Sequence, residues 1–238
     1  MKYLFTLFMM ACFAMSAHAQ WWFDAGIKGA YGPTFMYDQK VFDHGSYKHK
    51  ITTGTAIGGR LGFNYGYHAG LSVEYSSATG KQDFNFNSKV FNSFKWKHND
   101  WSALFRYSGN GAYIEIGGEY SKIKSVEKKN VNSPTVLDVT ENFSKNYKSG
   151  VFGFGSYLIG GGIFTVNLGI RLHWALDDMV NELGKQNNYP IVDIGETLRN
   201  PSKKTLATAA QLQLEANCAF GRFAKSACHD RWRLLLFQ

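Results

Sequence analysis

Ten side chains in this sequence could carry ionic or proton-transfer chemistry, and each stands in the polar phase of a stretch whose alternate residues are apolar. They are Asp24, Lys28, Arg60, Glu74, Arg106, Glu115, Glu119, Arg171, His173 and Glu215. Setting His173 aside, four are basic and five acidic. In a narrow interior filled by side chains, such near-balance predicts a paired network that offsets desolvation. An ordinary solvated face also tolerates mixed signs, so the charges by themselves leave both arrangements open.

Other reactive residues are sparser. His173, beside Arg171 in the same phase, is the residue type of a general base. No Ser or Cys nucleophile stands at a telling spacing from it, and Asp177 and Asp178 fall past the end of its segment. A packed interior histidine is therefore the expected role, and no catalytic residue is assigned. His44 and His49 lack a second ligand pair at metal-binding spacing, so they are expected as solvated loop residues, with no metal and no cofactor. There is no Walker loop, zinc motif or protease triad signature, and no glycine repeat lies at a strand-to-helix junction. Cys218 and Cys228 are close enough in sequence to form a disulfide tying the tail to the last strand. Cys218 phases to the apolar side and Cys228 belongs to no predicted element, which leaves their pairing open.

The elements that position these residues are strands. From Phe164, the residues Phe164, Val166, Leu168, Ile170, Leu172 and Trp174 alternate with Thr165, Asn167, Gly169, Arg171 and His173. That period of two marks a strand with one apolar and one polar face. A three-residue turn at Gly160-Gly161-Gly162 would place Ile159 opposite Ile163 and bring Phe152, Phe154 and Leu158 onto the face of Phe164. Similar alternation runs through Trp21 to Gly32, Thr53 to Tyr65, Ala69 to Ser76, Lys97 to Gly109, Ala112 to Tyr120 and Thr205 to Phe220. Gly66-Tyr67-His68 and Asn110-Gly111 read as tight turns. Between the hairpins lie long polar connections at Pro33 to Thr52, Gly80 to Trp96, Lys122 to Asn146 and Ala175 to Lys204, the last with a short helix over Leu176 to Leu183. Eight strands result, with short turns at one end and long loops at the other.

Met1 to Ala19 has the charge, apolar run and Ala17-His18-Ala19 site of a secretory signal, giving Gln20 as the expected mature start. Removing Lys2 leaves 25 basic and 18 acidic residues, a net charge of 25 − 18 = +7. An exported chain is not expected to meet nucleic acid, so anionic lipid or lipopolysaccharide phosphates are the better partners for that charge. Residues 20–220 form one domain, with 221–238 as a tail whose Arg231 to Phe237 could lie at a membrane interface.

Two architectures satisfy the alternation: a soluble lipocalin-like ligand-binding barrel with the apolar face inside, and an outer-membrane barrel with it outside. The short-turn, long-loop asymmetry favours the latter. So do Tyr31, Tyr65, Tyr75, Tyr107, Tyr120 and Trp174, placed near strand ends on the apolar face like two aromatic girdles. A strand of about 11 residues rising ~3.4 Å each and tilted near 40° spans roughly 28 Å, close to the ~25 Å apolar band. The expected fold is all-β: an eight-stranded antiparallel up-and-down transmembrane β-barrel with a polar interior, expected as a monomer. Lysines of the long loops suit either solubility or phosphate contact. Those nearest the strands, Lys122, Lys124, Lys148 and Lys204, are the candidates to face lipopolysaccharide.

The pattern resembles the small outer-membrane β-barrel proteins of the Bacteroidota type, the PorT-like/OmpX-like group, over nearly all of the mature chain. Arg171-Leu172-His173-Trp174-Ala175-Leu176-Asp177-Asp178 is similar to that group's Arg-Tyr-x-x-Gly-Leu-x-Asp passage into the last extracellular loop, with Trp174 and Ala175 replacing its small and Gly positions. Members usually end on an aromatic residue of the last strand, which the barrel-insertion machinery reads; this chain runs 18 residues past Phe220. The resemblance implies the fold and an outer-membrane location but no particular activity. Sec export is expected from the signal segment, and the expected role is structural or surface-interaction, with lysine-rich loops contacting lipopolysaccharide or outside partners. A lipid-modifying enzyme or a secretion-machinery component on the same barrel is the alternative.

Overall fold

The computed structural model describes residues 21–38, 41, 47–87, 89–130, 135–161, 163–190, 204–221, 224–225 and 228. The expected signal segment, His44 and Arg231 to Phe237 lie outside them. Ten strands form one antiparallel sheet: β1 (Trp21–Asp38), β2 (Tyr47–Lys50), β3 (Thr52–Tyr65), β4 (Ala69–Phe86), β5 (Lys89–Gly109), β6 (Ala112–Asn130), β7 (Val136–Asp138), β8 (Asn146–Gly161), β9 (Phe164–Ala175) and β10 (Thr205–Phe220). Eight of them close a ring in the order β1, β3, β4, β5, β6, β8, β9, β10, and β10 pairs back onto β1. Closure leaves no unpaired edge around the wall.

Alternation sorts the side chains. Ile57, Leu61, Val73, Ile116, Leu172 and Leu214 face outward and are exposed, Ile57 at 72%. Arg60, Glu74, Glu115, Arg171 and Glu215 face inward, Arg171 at 2%. Leu168 shares the outward phase of Ile170 and Leu172, opposite to Arg171. A soluble barrel would need the reverse orientation, so the lipocalin-like alternative is overturned. An apolar wall of this height belongs in hydrocarbon, and the fold is an eight-stranded transmembrane barrel with a polar interior.

Two turns match their sequence signals. Tyr65 pairs with Ala69, and Gly109 with Ala112 across Asn110 and Gly111. Both turn residues have positive φ, 51° and 76°, which Asn and Gly adopt at low cost. The triple-glycine turn differs from expectation. Gly161 pairs with Phe164, not Ile159 with Ile163, and the register slips between Tyr157 and Ile159. This bulge at Leu158 restores the phase that a shorter turn would have inverted, so Phe152 and Phe154 still share the outer face with Ile170 and Leu172.

Three of the expected loops are largely strand. Gly80 to Trp96 is the far end of the β4–β5 hairpin, paired up to Phe86 and Lys89. β6 continues to Asn130 and receives β7 as a partner, while β1 continues to Asp38 and β2 pairs with upper β4. These extensions surround a second, apolar core of Met36, Val41, Phe84, Phe94, Trp96, Ile123, Val126, Val139, Phe143, Met179 and Val180. That core forms a folded head on the barrel. Loop composition hid it because its outward positions are polar, as they are in any water-facing sheet. The expected helix at Leu176 to Leu183 is displaced to α1 (Glu182–Gln186). Met179 and Val180 are drawn into the head core, and the Asn181 side chain caps the helix by accepting from the Gly184 N–H at 2.8 Å.

Candidate functional site

The middle of the barrel holds one continuous ionic network. Lys28 is paired with Glu74. Arg60 contacts Asp24 at 2.6 Å and Glu215 at 3.4 Å. Arg106 bridges Glu115 at 2.9 Å and Glu215 at 2.8 Å, and Arg171 bridges Glu74 and Glu115, each at 2.6 Å. Four cations from β1, β3, β5 and β9 thus meet four carboxylates from β1, β4, β6 and β10. Amides complete the shell: Asn64 donates to Asp24, and Asn167, Gln213 and Asn217 donate to Glu215. Paired and hydrogen-bonded charges are the form in which burial is tolerated. Small residues make room for them. A Cβ at Gly62 would strike the Asp24 carboxylate, and one at Gly153 the Glu115 carboxylate.

Glu119 and His173 stand apart from that network, toward the head. The His173 Nδ1 lies 3.0 Å from Glu119, and Ser102 donates to the other Glu119 oxygen at 2.8 Å. The carboxylate therefore sits between the hydroxyl and the imidazole, whereas a nucleophilic triad needs the imidazole against the hydroxyl. Asp178 accepts from the Val180 and Thr205 N–H groups and Asp177 from that of Lys148, so neither reaches His173. A second pair, His98 and Asp100 at 2.6 Å, faces the same small chamber, whose lining also includes Trp96, Tyr147, Gln211 and Lys28. The chamber is about 40 Å³, room for only a few waters. Among the described residues no group of three or more His, Cys, Asp or Glu side chains is arranged to hold a metal.

Both ends of the interior are filled. The head core closes one end. At the turn end Trp22 and Ala219 pack with Ala224 and Cys228 of the tail, and Trp22 donates to the Gly66 carbonyl at 2.9 Å. The pairing of Cys218 with Cys228, left open by the sequence, is not formed: Cys218 is exposed on the outer wall, while Cys228 is buried on the interior side of the barrel mouth. The wall separates them, because Cys218 occupies an outward position of β10. His49 is not a solvated loop residue. Its Nε2 accepts from the Asp38 N–H at 3.2 Å and its ring stacks near Tyr37. Burial pushes its pKa down, against the opposing pull of Asp38 and the Met36 backbone.

On the outside, Tyr31, Tyr65, Tyr75, Tyr107, Tyr120 and Trp174 are all exposed. Trp101 joins them. It pairs with Tyr75 on β4 and Tyr120 on β6, with the Tyr75 ring 4.7 Å away. Tyr120 in turn pairs with Lys148 on β8. Directly above this row lie Lys97, Lys122 and Lys124, all outward and exposed. Lys204 is elsewhere, at the start of β10, with its Nζ toward the Leu176 carbonyl. Lys128, grouped in sequence with the loop lysines, turns inward and is 6% exposed.

Asp100, His98, Asn64, Asn167 and Asn217 are interior residues that the charge pattern alone passed over. Strand parity would have found Asp100 and His98, which share the phase of Ser102 and Arg106. The ring closure that gathers Glu74, Glu115 and Glu215 around Arg106 and Arg171 has no local signal.

No family model matches the sequence, and no curated protein matches it. Among solved structures, the chain is similar to Neisserial surface protein A (NspA) at 11% identity and TM-score 0.44, covering 83% of this chain and 97% of that one. It is similar to the outer membrane protein OprG from Pseudomonas aeruginosa at 11% identity and TM-score 0.40, covering 84% and 95%. It is also similar to Ail, the attachment invasion locus protein of Yersinia pestis, in complex with the heparin analogue sucrose octasulfate, at 9% identity and TM-score 0.39, covering 83% and 99%. At these scores the architecture rests on the strand pairings above.

Proposed function

We propose that this protein is a closed, monomeric outer-membrane barrel that displays a folded head at the cell surface for structural or surface-interaction work. One observation carries the reading. Along single strands the polarity of the two faces reverses at Tyr75, Trp101 and Tyr120. Below them the outside is apolar and the inside charged; above them the inside is Phe84, Phe94, Trp96 and Val126, and the outside is lysine-rich. The reversal occurs at constant phase on β4 and β5 and across the Lys124 bulge on β6, and it supports a change of solvent from hydrocarbon to water at that level. In this reading the short turns are periplasmic, the chain is Sec-exported and its insertion depends on the barrel-assembly machinery. The lysines at the reversal, Lys122, Lys124 and Lys148, and Lys204 farther round, face lipopolysaccharide.

Filled ends support a role other than conduction. The test is heat-modifiable migration on SDS gels together with detergent-dependent extraction from the membrane fraction. Lys89→Cys should react with an impermeant maleimide on intact cells, since Lys89 lies at the tip of the head. Identical migration of cold and boiled samples, with the chain in the soluble periplasm, would overturn the proposal.

A further inference from the structure

Resting on the outer-membrane placement proposed above, we infer that Lys97, Lys122, Lys124 and Lys148 form a seat on the outer wall for the phosphates of a phosphorylated, acylated lipid. Neighbouring strands lie ~4.8 Å apart and outward residues of one strand ~7 Å apart, so Lys122 and Lys124 are neighbours on β6, flanked by Lys97 on β5 and Lys148 on β8. Lys97 pairs with Ser125, and Lys122 lies between Asn99 and Asn146 on its two neighbouring strands. The ladder slips here: Lys97 pairs with Ser125 but His98 with Ile123, which leaves Lys124 as the extra residue of a β-bulge. A bulge re-aims side chains. This one keeps Ile123 and Val126 in the interior while adding Lys124 to the outer face between Lys122 and Ser125.

The surroundings select the occupant. Beneath the seat lie Trp101 and Tyr120 and then Ala103, Phe105, Ile114 and Ile116, a surface for acyl chains. Carboxylates lie to the far or lateral side. Asp83 is 3.3 Å from Lys81, Glu127 is 3.9 Å from Lys97 and pairs with Asp138, and Asp177 binds the Lys148 backbone N–H. Cation density is thus greatest immediately above the aromatic row. The neighbouring ammonium groups of Lys122, Lys124 and Lys148 repel one another, and a bound phosphate relieves that repulsion. A ligand with anionic groups directly above several acyl chains matches both halves of the surface.

The full chain folded in detergent can be mixed with a bisphosphorylated acylated glycolipid, with its mono- and dephosphorylated forms, and with inorganic pyrophosphate, and retained ligand read by native mass spectrometry. Retention should fall with each phosphate removed. K97Q/K122Q/K124Q/K148Q should lower retention of the bisphosphorylated form about tenfold, and the matched K48Q/K50Q/K89Q/K129Q, at exposed lysines outside the seat, should leave it within about twofold. Arginine at the four seat positions should preserve binding, and each variant is compared only after heat-modifiable migration shows it folded. Equal retention of the dephosphorylated lipid, or equal behaviour of seat and matched variants, overturns the inference while leaving the placement intact. Pyrophosphate competing as well as the lipid overturns the lipid assignment. A chain monodisperse in water without detergent overturns the placement itself, and the seat with it.

Discussion

Strands β4, β5 and β6 run through two regions of opposite construction. In the lower region their outward residues are Leu71, Val73, Phe105 and Ile116, and their inward ones Glu74, Arg106 and Glu115. In the head the outward residues are Lys81, Lys95, Lys97, Lys122 and Lys124, and the inward ones Phe84, Phe94, Trp96, Ile123 and Val126. Antiparallel pairing continues through both, with register slips in the head at Phe84/Asn85 and Lys97/His98. What differs is the medium each face meets, so face polarity reports the solvent and not the strand. The two regions also gain stability differently. The head uses burial of apolar area, while the barrel interior uses ionic pairing that offsets its own desolvation.

The largest effects should come from breaking each region at its centre. Arg171→Met strands Glu74 and Glu115 without a shared partner, and should cost about 3–5 kcal/mol in urea unfolding from lipid vesicles. Adding Glu74→Gln should recover part of that loss; no recovery would argue against a coupled network. Phe94→Ala should cost a similar ~3–5 kcal/mol, but locally. The head should become protease-sensitive while the barrel keeps its heat-modifiable migration. Simultaneous loss of both would mean that the two regions are one cooperative unit.

A matched pair tests the boundary itself. Ile116→Arg, on the outer wall below the aromatic row, should destabilise by about 2–4 kcal/mol in lipid. Asn99→Arg, outward but above Trp101, should change stability by less than about 0.5 kcal/mol. Equal costs would remove the solvent boundary. The smallest effect is a pH response in the head. Burial holds His49 below its ordinary value of 6.5, so the unfolded segment binds a proton more readily than the folded one. Docking of β2 should be complete above that value and weaken as pH falls through it toward the lower folded pKa. Protonation also removes the acceptor used by the Asp38 N–H. The exchange protection of Asp38, taken relative to the intrinsic rate at each pH, should fall on acidification, and His49→Gln should abolish that fall.

Much of the barrel was legible because period two is a local property. The eight wall strands, the Asn110-Gly111 turn and the phase of Arg171 against Leu168 follow from residues a few positions apart. The head was not, because Gly80 to Trp96 reads as a polar loop until its inward residues are seen to meet Met36, Phe143 and Met179 from distant segments. The triple-glycine turn misled for a related reason. Turn length fixes phase only in a regular ladder, and the bulge at Leu158 lets the turn shorten while the phase is kept. Cys218 and Cys228 are near in sequence yet lie on opposite sides of the wall.

The sequence by itself determined that the chain alternates, that one phase is apolar and the other charged, and that the charges come close to balance. Those are properties of nearest neighbours and of totals. Only the tertiary structure decided which charges meet, that the head has a core of its own, and that Lys97, Lys122, Lys124 and Lys148 share one face above Trp101 and Tyr120. The reason is closure: joining β10 to β1 brings residues more than a hundred positions apart within hydrogen-bond reach, as with Arg106 and Glu215, and no local pattern encodes that distance.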